Sequence, residues 1–99
     1  MKIVLNRCFG GFGLSTEALD HMGIAYTIGE YDNIIYDETF ERNDPRLVSA
    51  VEDLGSIVAS GKYAELVVVE VPAELVHYFI EQYDGNEYVI ASASPILYF

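Results

Sequence analysis

The sequence is short of positive charge. Across 99 residues it carries five Lys+Arg against sixteen Asp+Glu, for a formal net charge of -11. Binding to DNA or RNA rests on clustered Lys and Arg that neutralise phosphates, so direct nucleic-acid binding is not expected. Anionic lipid surfaces repel such a chain for the same reason. Cysteine is scarcer still. Cys8 stands alone, which excludes an intrachain disulfide, and in its apolar N-terminal run it reads as a buried, reduced thiol. There is no Trp, and there are only three Pro. Long apolar runs are missing, so no stretch reaches the roughly 20 residues of a membrane-spanning helix. Asn6-Arg7 breaks the run Ile3-Val4-Leu5 too early for a signal peptide. No membrane association is expected, and the expected location is the cytoplasm. His21 and His77 are the only histidines, so no structural zinc site of the usual composition is expected.

Apolar types make up 52% of the chain, with eight Tyr and five Phe. That fraction excludes a chain that stays disordered for want of burial. The length fits one domain spanning residues 1–99.

Lys2 to Phe9 reads as a first strand. Its lack of alternation fits burial on both faces. Gly10-Gly11-Phe12-Gly13 ends it. Ser15 then reads as a helix N-cap, with Leu14 and Leu19 at hydrophobic-staple spacing and Glu17 in the first turn. The helix is expected over Thr16–Met22, with Gly23 at C′. Ile24–Ile28 reads as a short strand, and Asn33–Tyr36 as another short strand or an irregular edge. Asp44-Pro45 opens a second helix, whose stripe of Leu47, Val51, Leu54 and Val58 runs towards Ser60-Gly61, with Gly55 as a point of interruption. Leu66–Val71 is the strongest strand, ended by Pro72. A turn follows over 73–75, then an alternating segment from Val76 to Tyr83. Asp84-Gly85-Asn86 is a hairpin turn, Tyr88–Ala91 its return, and Ile96–Phe99 a last edge strand or a docked tail. The expectation is a single α+β domain: a mixed or antiparallel sheet of about five strands, two helices and a C-terminal β-hairpin.

Three segments carry a resemblance. They are Lys2 to Ser15; Arg42-Asn43-Asp44-Pro45 with Leu47-Val48 and Val51 to Gly55; and Ala64 to Pro72 running on to Ile80–Glu87. In order and spacing they resemble a family of small uncharacterised proteins encoded by bacteriophages and prophages. The resemblance implies a phage or prophage setting and the cytoplasm of a bacterial host. It brings no catalytic residues with it. The segments from Gly23 to Glu41 and from Ser92 to Phe99 depart from the family pattern.

Two sets of candidate site residues emerge. Gly10, Gly11, Gly13 and Ser15 follow a strand and open a helix, so backbone N–H groups there could cradle an anion or a nucleotide phosphate, with Arg7 assisting. The loop lacks the Lys of a Walker A motif and the spacing of a dinucleotide loop. The second set is a surface. Glu30, Asp32, Asp37, Glu38, Glu41 and Asp44 put six carboxylates against one Arg between residues 30 and 44, and Tyr83, Tyr88 and Tyr98 supply aromatic area. The acidic spacing does not match an EF-hand loop. No catalytic constellation, cofactor or metal site is assembled by sequence spacing. The leading expectation is a non-enzymatic accessory protein that binds a basic host or phage protein through an acidic, tyrosine-rich surface. The alternatives are a small anion- or nucleotide-binding protein using the glycine loop, and a structural homo-oligomer.

Overall fold

A computed structural model describes residues 1–72, 77–92 and 96–98. Its centre is a pair of strands, β1 (Lys2–Asn6) and β4 (Leu66–Glu70). They run antiparallel, in register from Lys2 opposite Glu70 to Asn6 opposite Leu66. Between them in sequence come α1 (Thr16–Met22), β2 (Tyr26–Ile28), a 3-10 turn (Glu30–Asp32), β3 (Ile34–Tyr36), α2 (Pro45–Leu54) and α3 (Ser56–Ala59). After β4 the chain forms β5 (His77–Tyr83), β6 (Asn86–Ser92) and β7 (Ile96–Tyr98).

The absence of alternation in β1 has a direct cause: both of its faces are covered. Val4 and Leu66 pack with Leu14, Ala18, Leu19, Met22, Leu47, Val48, Ala50, Val51 and Ala59 of the helical side. Ile3 and Leu5 pack with Val71 and Val89, flanked by Ile80, Val67 and Val69. The two-stranded sheet is thus a middle layer between the helices and the C-terminal strands. Each fully buried Leu, Ile or Val contributes about 1.5–3 kcal/mol.

Local signals set the helix ends. The Ser15 hydroxyl accepts the Ala18 N–H at 3.1 Å, and Gly23 closes α1 in the left-handed conformation at φ 73°. Asp44 caps α2 by accepting the Arg46 N–H at 2.8 Å, with Pro45 in the first turn. The long second helix is interrupted at Gly55. Its φ of 83° and ψ of 158° lie where only glycine sits without strain, so the chain turns there and restarts as the single turn α3. Val58 consequently leaves the apolar stripe and is 45% exposed.

One sheet of about five strands with two helices is not what forms. The α+β domain has three helices, and its seven strands, counted among the described residues, divide into three antiparallel sheets: β1–β4, β2–β3 and β5–β6–β7. The sheets stay separate for a physical reason. Among the described residues, the edge of β1 away from β4 takes no strand. Val4 N–H donates to the Arg42 carbonyl at 2.9 Å, the Arg42 guanidinium donates to the Val4 carbonyl at 3.3 Å, and Asn6 N–H donates to Glu87 at 2.8 Å. The β2–β3 hairpin instead turns Tyr26, Ile34 and Tyr36 onto the helical core. Asp84 and Gly85 join β5 to β6 with φ values of 52° and 91°, the pattern of a type I′ turn. The turn expected over 73–75 lies outside the described residues.

Candidate functional site

Asn6 ends β1 wholly buried. Its side-chain oxygen accepts the N–H groups of Glu65 at 2.9 Å and Cys8 at 3.3 Å. Its amide nitrogen donates to the carbonyls of Cys8 at 2.7 Å and Gly85 at 2.6 Å. A side-chain amide offers two donors and two lone pairs, so every capacity is used. One residue therefore ties the glycine loop, the start of β4 and the β5–β6 turn together. The loop it anchors passes so close to its neighbour that a Cβ at Gly10 would lie 2.1 Å from the Tyr63 carbonyl oxygen. Gly61 N–H donates to the Gly13 carbonyl at 2.9 Å and fixes the two loops side by side.

A cleft of about 710 Å³ opens where this pair of loops meets the tip of the β2–β3 hairpin. Phe12, Tyr36 and Tyr63 supply aromatic area among its lining residues, and Glu30, Tyr31 and Asp32 belong to the hairpin tip. Phe12 is held by the Arg42 guanidinium, 3.6 Å above its ring centroid. The Tyr36 hydroxyl accepts the Leu14 N–H at 3.3 Å, and its ring stacks on Phe40. Burial raises the pKa of that hydroxyl above its ordinary value, so it stays neutral well beyond physiological pH. Tyr31 is unlike the others. It is 92% exposed and sits at φ 58°, ψ 32°, followed by Asp32 at φ 59°. The left-handed conformation costs a non-glycine residue about 1–2 kcal/mol. The tip is closed by Gly29 N–H to the Asn33 carbonyl at 2.7 Å and Asn33 N–H to the Glu30 carbonyl at 3.1 Å. Lys62 also lines the cleft, its ammonium 5.5 Å from the Tyr63 ring.

The residues proposed from sequence are partly brought together. Gly10, Gly11 and Gly13 line the cleft. Ser15 lies outside it, with its hydroxyl committed to the α1 cap and its N–H donated to the Ala59 carbonyl at 2.9 Å. Arg7 is exposed and does not line the cleft; its backbone N–H donates to Glu65. The arginine beside the glycine loop is Arg42. Of the acidic set, Glu30 and Asp32 reach the cleft, while Asp37, Glu38 and Glu41 lie exposed beyond β3. Asp44 is occupied as a cap and pairs with Arg46 at 3.0 Å. Tyr83 is 75% exposed near the β5–β6 turn, Tyr88 is half-buried on β6, and Tyr98 stands in β7 opposite Ile90. Cleft residues that the sequence reading does not single out include Tyr31, Tyr36, Lys62 and Tyr63. The signal for Tyr31 was available, since Gly29-Glu30-Tyr31-Asp32-Asn33 separates two β-prone triplets and is therefore a hairpin loop.

Elsewhere, Ser49 and His21 both reach Asp53, each at 3.1 Å. The carboxylate is the shared partner and the serine makes no bond to the imidazole, so this exposed trio has no activated nucleophile. Among the described residues no group of three His, Cys, Asp or Glu side chains could hold a metal ion. No helix among them is long and apolar enough to cross a membrane. Against protein-family models, curated proteins and solved structures, the chain gives no match.

Proposed function

We propose that the protein is a non-enzymatic binding module that takes a basic segment of another protein into the cleft between the glycine loop and the β2–β3 hairpin tip. One observation carries this reading. Tyr31 is held almost fully exposed in a costly backbone conformation, between two carboxylates, at the mouth of an aromatic-lined cleft. A tyrosine ring gains nothing by such exposure in the free protein. It gains area and cation–π attraction when a guanidinium or ammonium group lies over it, and Glu30 and Asp32 complete the charge. The net charge of -11 adds long-range steering towards a basic surface. The volume suits a few side chains of a segment rather than a single ion. On the resemblance to small phage and prophage proteins, that segment belongs to a host or phage protein.

Amide chemical shifts followed during titration with hexa-arginine and hexa-lysine test the reading. The expected result is saturable one-to-one binding, with shifts confined to the residues of the cleft, Gly11, Tyr31, Asp32, Lys62 and Tyr63 among them. Binding should weaken about tenfold in Tyr31→Ala and in the double variant Glu30→Gln/Asp32→Asn, in line with one or two charge-assisted contacts of about 1 kcal/mol each. Shifts spread over the whole acidic surface, or binding indifferent to both variants, would reject the cleft.

A further inference from the structure

The β2–β3 hairpin has a free edge, and that edge faces the cleft. Gly29 N–H donates to the Asn33 carbonyl at 2.7 Å, which sets the phase of the ladder. With Thr27 opposite Ile35 and Ile28 opposite Ile34, the hydrogen-bonded pairs are Gly29–Asn33 and Thr27–Ile35. The backbone N–H and carbonyl groups of Ile34 and Tyr36 therefore point away from β2. Among the described residues these backbone groups have no partner. Both residues are partly exposed, and Asn33, Ile35 and Asp37 beside them are exposed, so the edge is open to solvent. Ile34 and Tyr36 line the cleft, whereas no residue of β2 does. Ile34-Ile35-Tyr36 also carries no charge and no proline, two of the features that usually blunt an edge strand.

The opposite wall suits a neighbouring strand. Gly10, Gly11 and Gly13 present backbone without side chains, and the space beside Gly11 is open. Tyr36 gauges the gap. From β3 its side chain runs over the helical core to the Leu14 N–H at 3.3 Å. A tyrosine and a hydrogen bond laid end to end span roughly two strand spacings of ~4.8 Å, the width one inserted strand takes. We propose that the occupant of the cleft binds as an added strand: an extended basic segment whose backbone pairs with Ile34 and Tyr36, rather than one face of a helix. This rests on the cleft being the binding site and names the conformation it recognises. The N–H and carbonyl groups of Ile34 and Tyr36 then make four backbone bonds without displacing any bond already made. A helix uses its own N–H and carbonyl groups internally and would leave this edge unpaired. The hairpin gains as well, because two strands alone are marginal and a third supports them. Backbone bonds of this kind supply affinity and alternate side chains supply selectivity. Beyond the paired residues, towards the tip, the segment's cationic side chains meet Glu30, Tyr31 and Asp32.

Hydrogen exchange at saturating hexa-arginine, together with the affinities of two N-methylated forms of that peptide, tests the pairing and leaves the protein unaltered. Exchange at the Ile34 and Tyr36 amides should slow by at least tenfold. The amides of Tyr26 and Ile28, which point outward on the far edge of the hairpin, should keep their rates. Hexa-arginine methylated at alternate backbone nitrogens retains one edge of donors and should bind within about threefold of the parent peptide. The fully N-methylated peptide has the same charge and side chains but no donor for the Ile34 and Tyr36 carbonyls, and should bind about tenfold or more weakly. Three results overturn the added strand while the cleft reading stands: binding at Tyr31 and Lys62 with unchanged exchange at Ile34 and Tyr36, equal affinity for all three peptides, or equal loss in both methylated forms. Absence of saturable binding at the cleft overturns both.

Discussion

Glu87 offers the sharpest test of how the C-terminal strands are held to the rest of the molecule. Among the described residues it is the only charged one that is buried. Its carboxylate accepts both terminal nitrogens of Arg42, at 2.5 and 2.8 Å, and the Asn6 N–H at 2.8 Å. Side-chain exposure is 11% for Glu87 and 19% for Arg42. In such a setting the loss of one partner costs far more than the pair contributes, because the other charge stays desolvated and alone. The usual loss is about 3–5 kcal/mol. Against a total stability of about 10 kcal/mol, the middle of the range for a domain of this size, Glu87→Ala should remove a third to a half of it. With a urea slope of about 2 kcal/mol per molar, the middle of the usual range, the unfolding midpoint followed by far-UV circular dichroism should fall by roughly 1.5–2.5 M. Glu87→Gln keeps one oxygen for Asn6 but turns an amide N–H₂ towards the guanidinium, so its loss should be intermediate. The double variant Arg42→Met/Glu87→Gln removes both charges and keeps the acceptor for Asn6. It should recover to within about 1–2 kcal/mol of the parent, since the desolvation cost disappears with the charges. A loss below about 1 kcal/mol in Glu87→Ala, or no coupling between the two sites in the double-mutant cycle, would refute the claim that this pair seals the edge of β1.

Two further expectations concern the second helix. Arg46 beside Asp44, through its side chain first and its backbone N–H second, holds that carboxyl below its usual pKa. A carboxyl depressed on folding stabilises the native state above its unfolded pKa and ceases to do so as pH falls through the folded one. Asp44→Asn should keep the cap and lessen the loss of stability below about pH 4, whereas Asp44→Ala should cost about 1 kcal/mol at neutral pH; equal acid limbs for parent and Asp44→Asn in urea titrations at stepped pH would contradict this. Gly55→Ala should destabilise by about 1–3 kcal/mol, despite alanine's higher helix propensity and open space for its methyl group, because the backbone at φ 83° and ψ 158° is strained for any residue with a Cβ. A stabilised variant, read by thermal unfolding, would mean that the two helices merge without cost.

The parts of the fold legible in sequence are those set within a few residues. Ser15 and Gly23 bound α1, Asp44-Pro45 open α2, and Asp84-Gly85 turn the hairpin, each through a local hydrogen bond or a permitted φ. The unbroken apolar run in β1 was also a readable sign of burial on two faces. What escaped was pairing at a distance. Nothing near Asn6 indicates that its amide would be filled by residues 65 and 85, or that Glu87 would close a strand edge with Arg42. A single large sheet follows from the strand count alone, whereas the β1 edge is filled by Arg42 and Glu87, which no strand count reveals.

The same distinction explains why the acidic segment dissolved into separate roles. A run of six carboxylates reads as one feature along the chain. In three dimensions Asp44 is a helix cap, Asp37, Glu38 and Glu41 lie in solvent, and only Glu30 and Asp32 meet the aromatic cleft. Charge density along a sequence therefore overstates a binding surface unless the backbone gathers the groups. Here the gathering is done by a five-residue hairpin loop on one side and by glycines at 10 and 61 on the other, where side chains would press the loops apart. The glycine loop thus forms a close-packed wall of the cleft, and the charge on which the proposed recognition rests is the pair of carboxylates flanking Tyr31 rather than the whole of the -11.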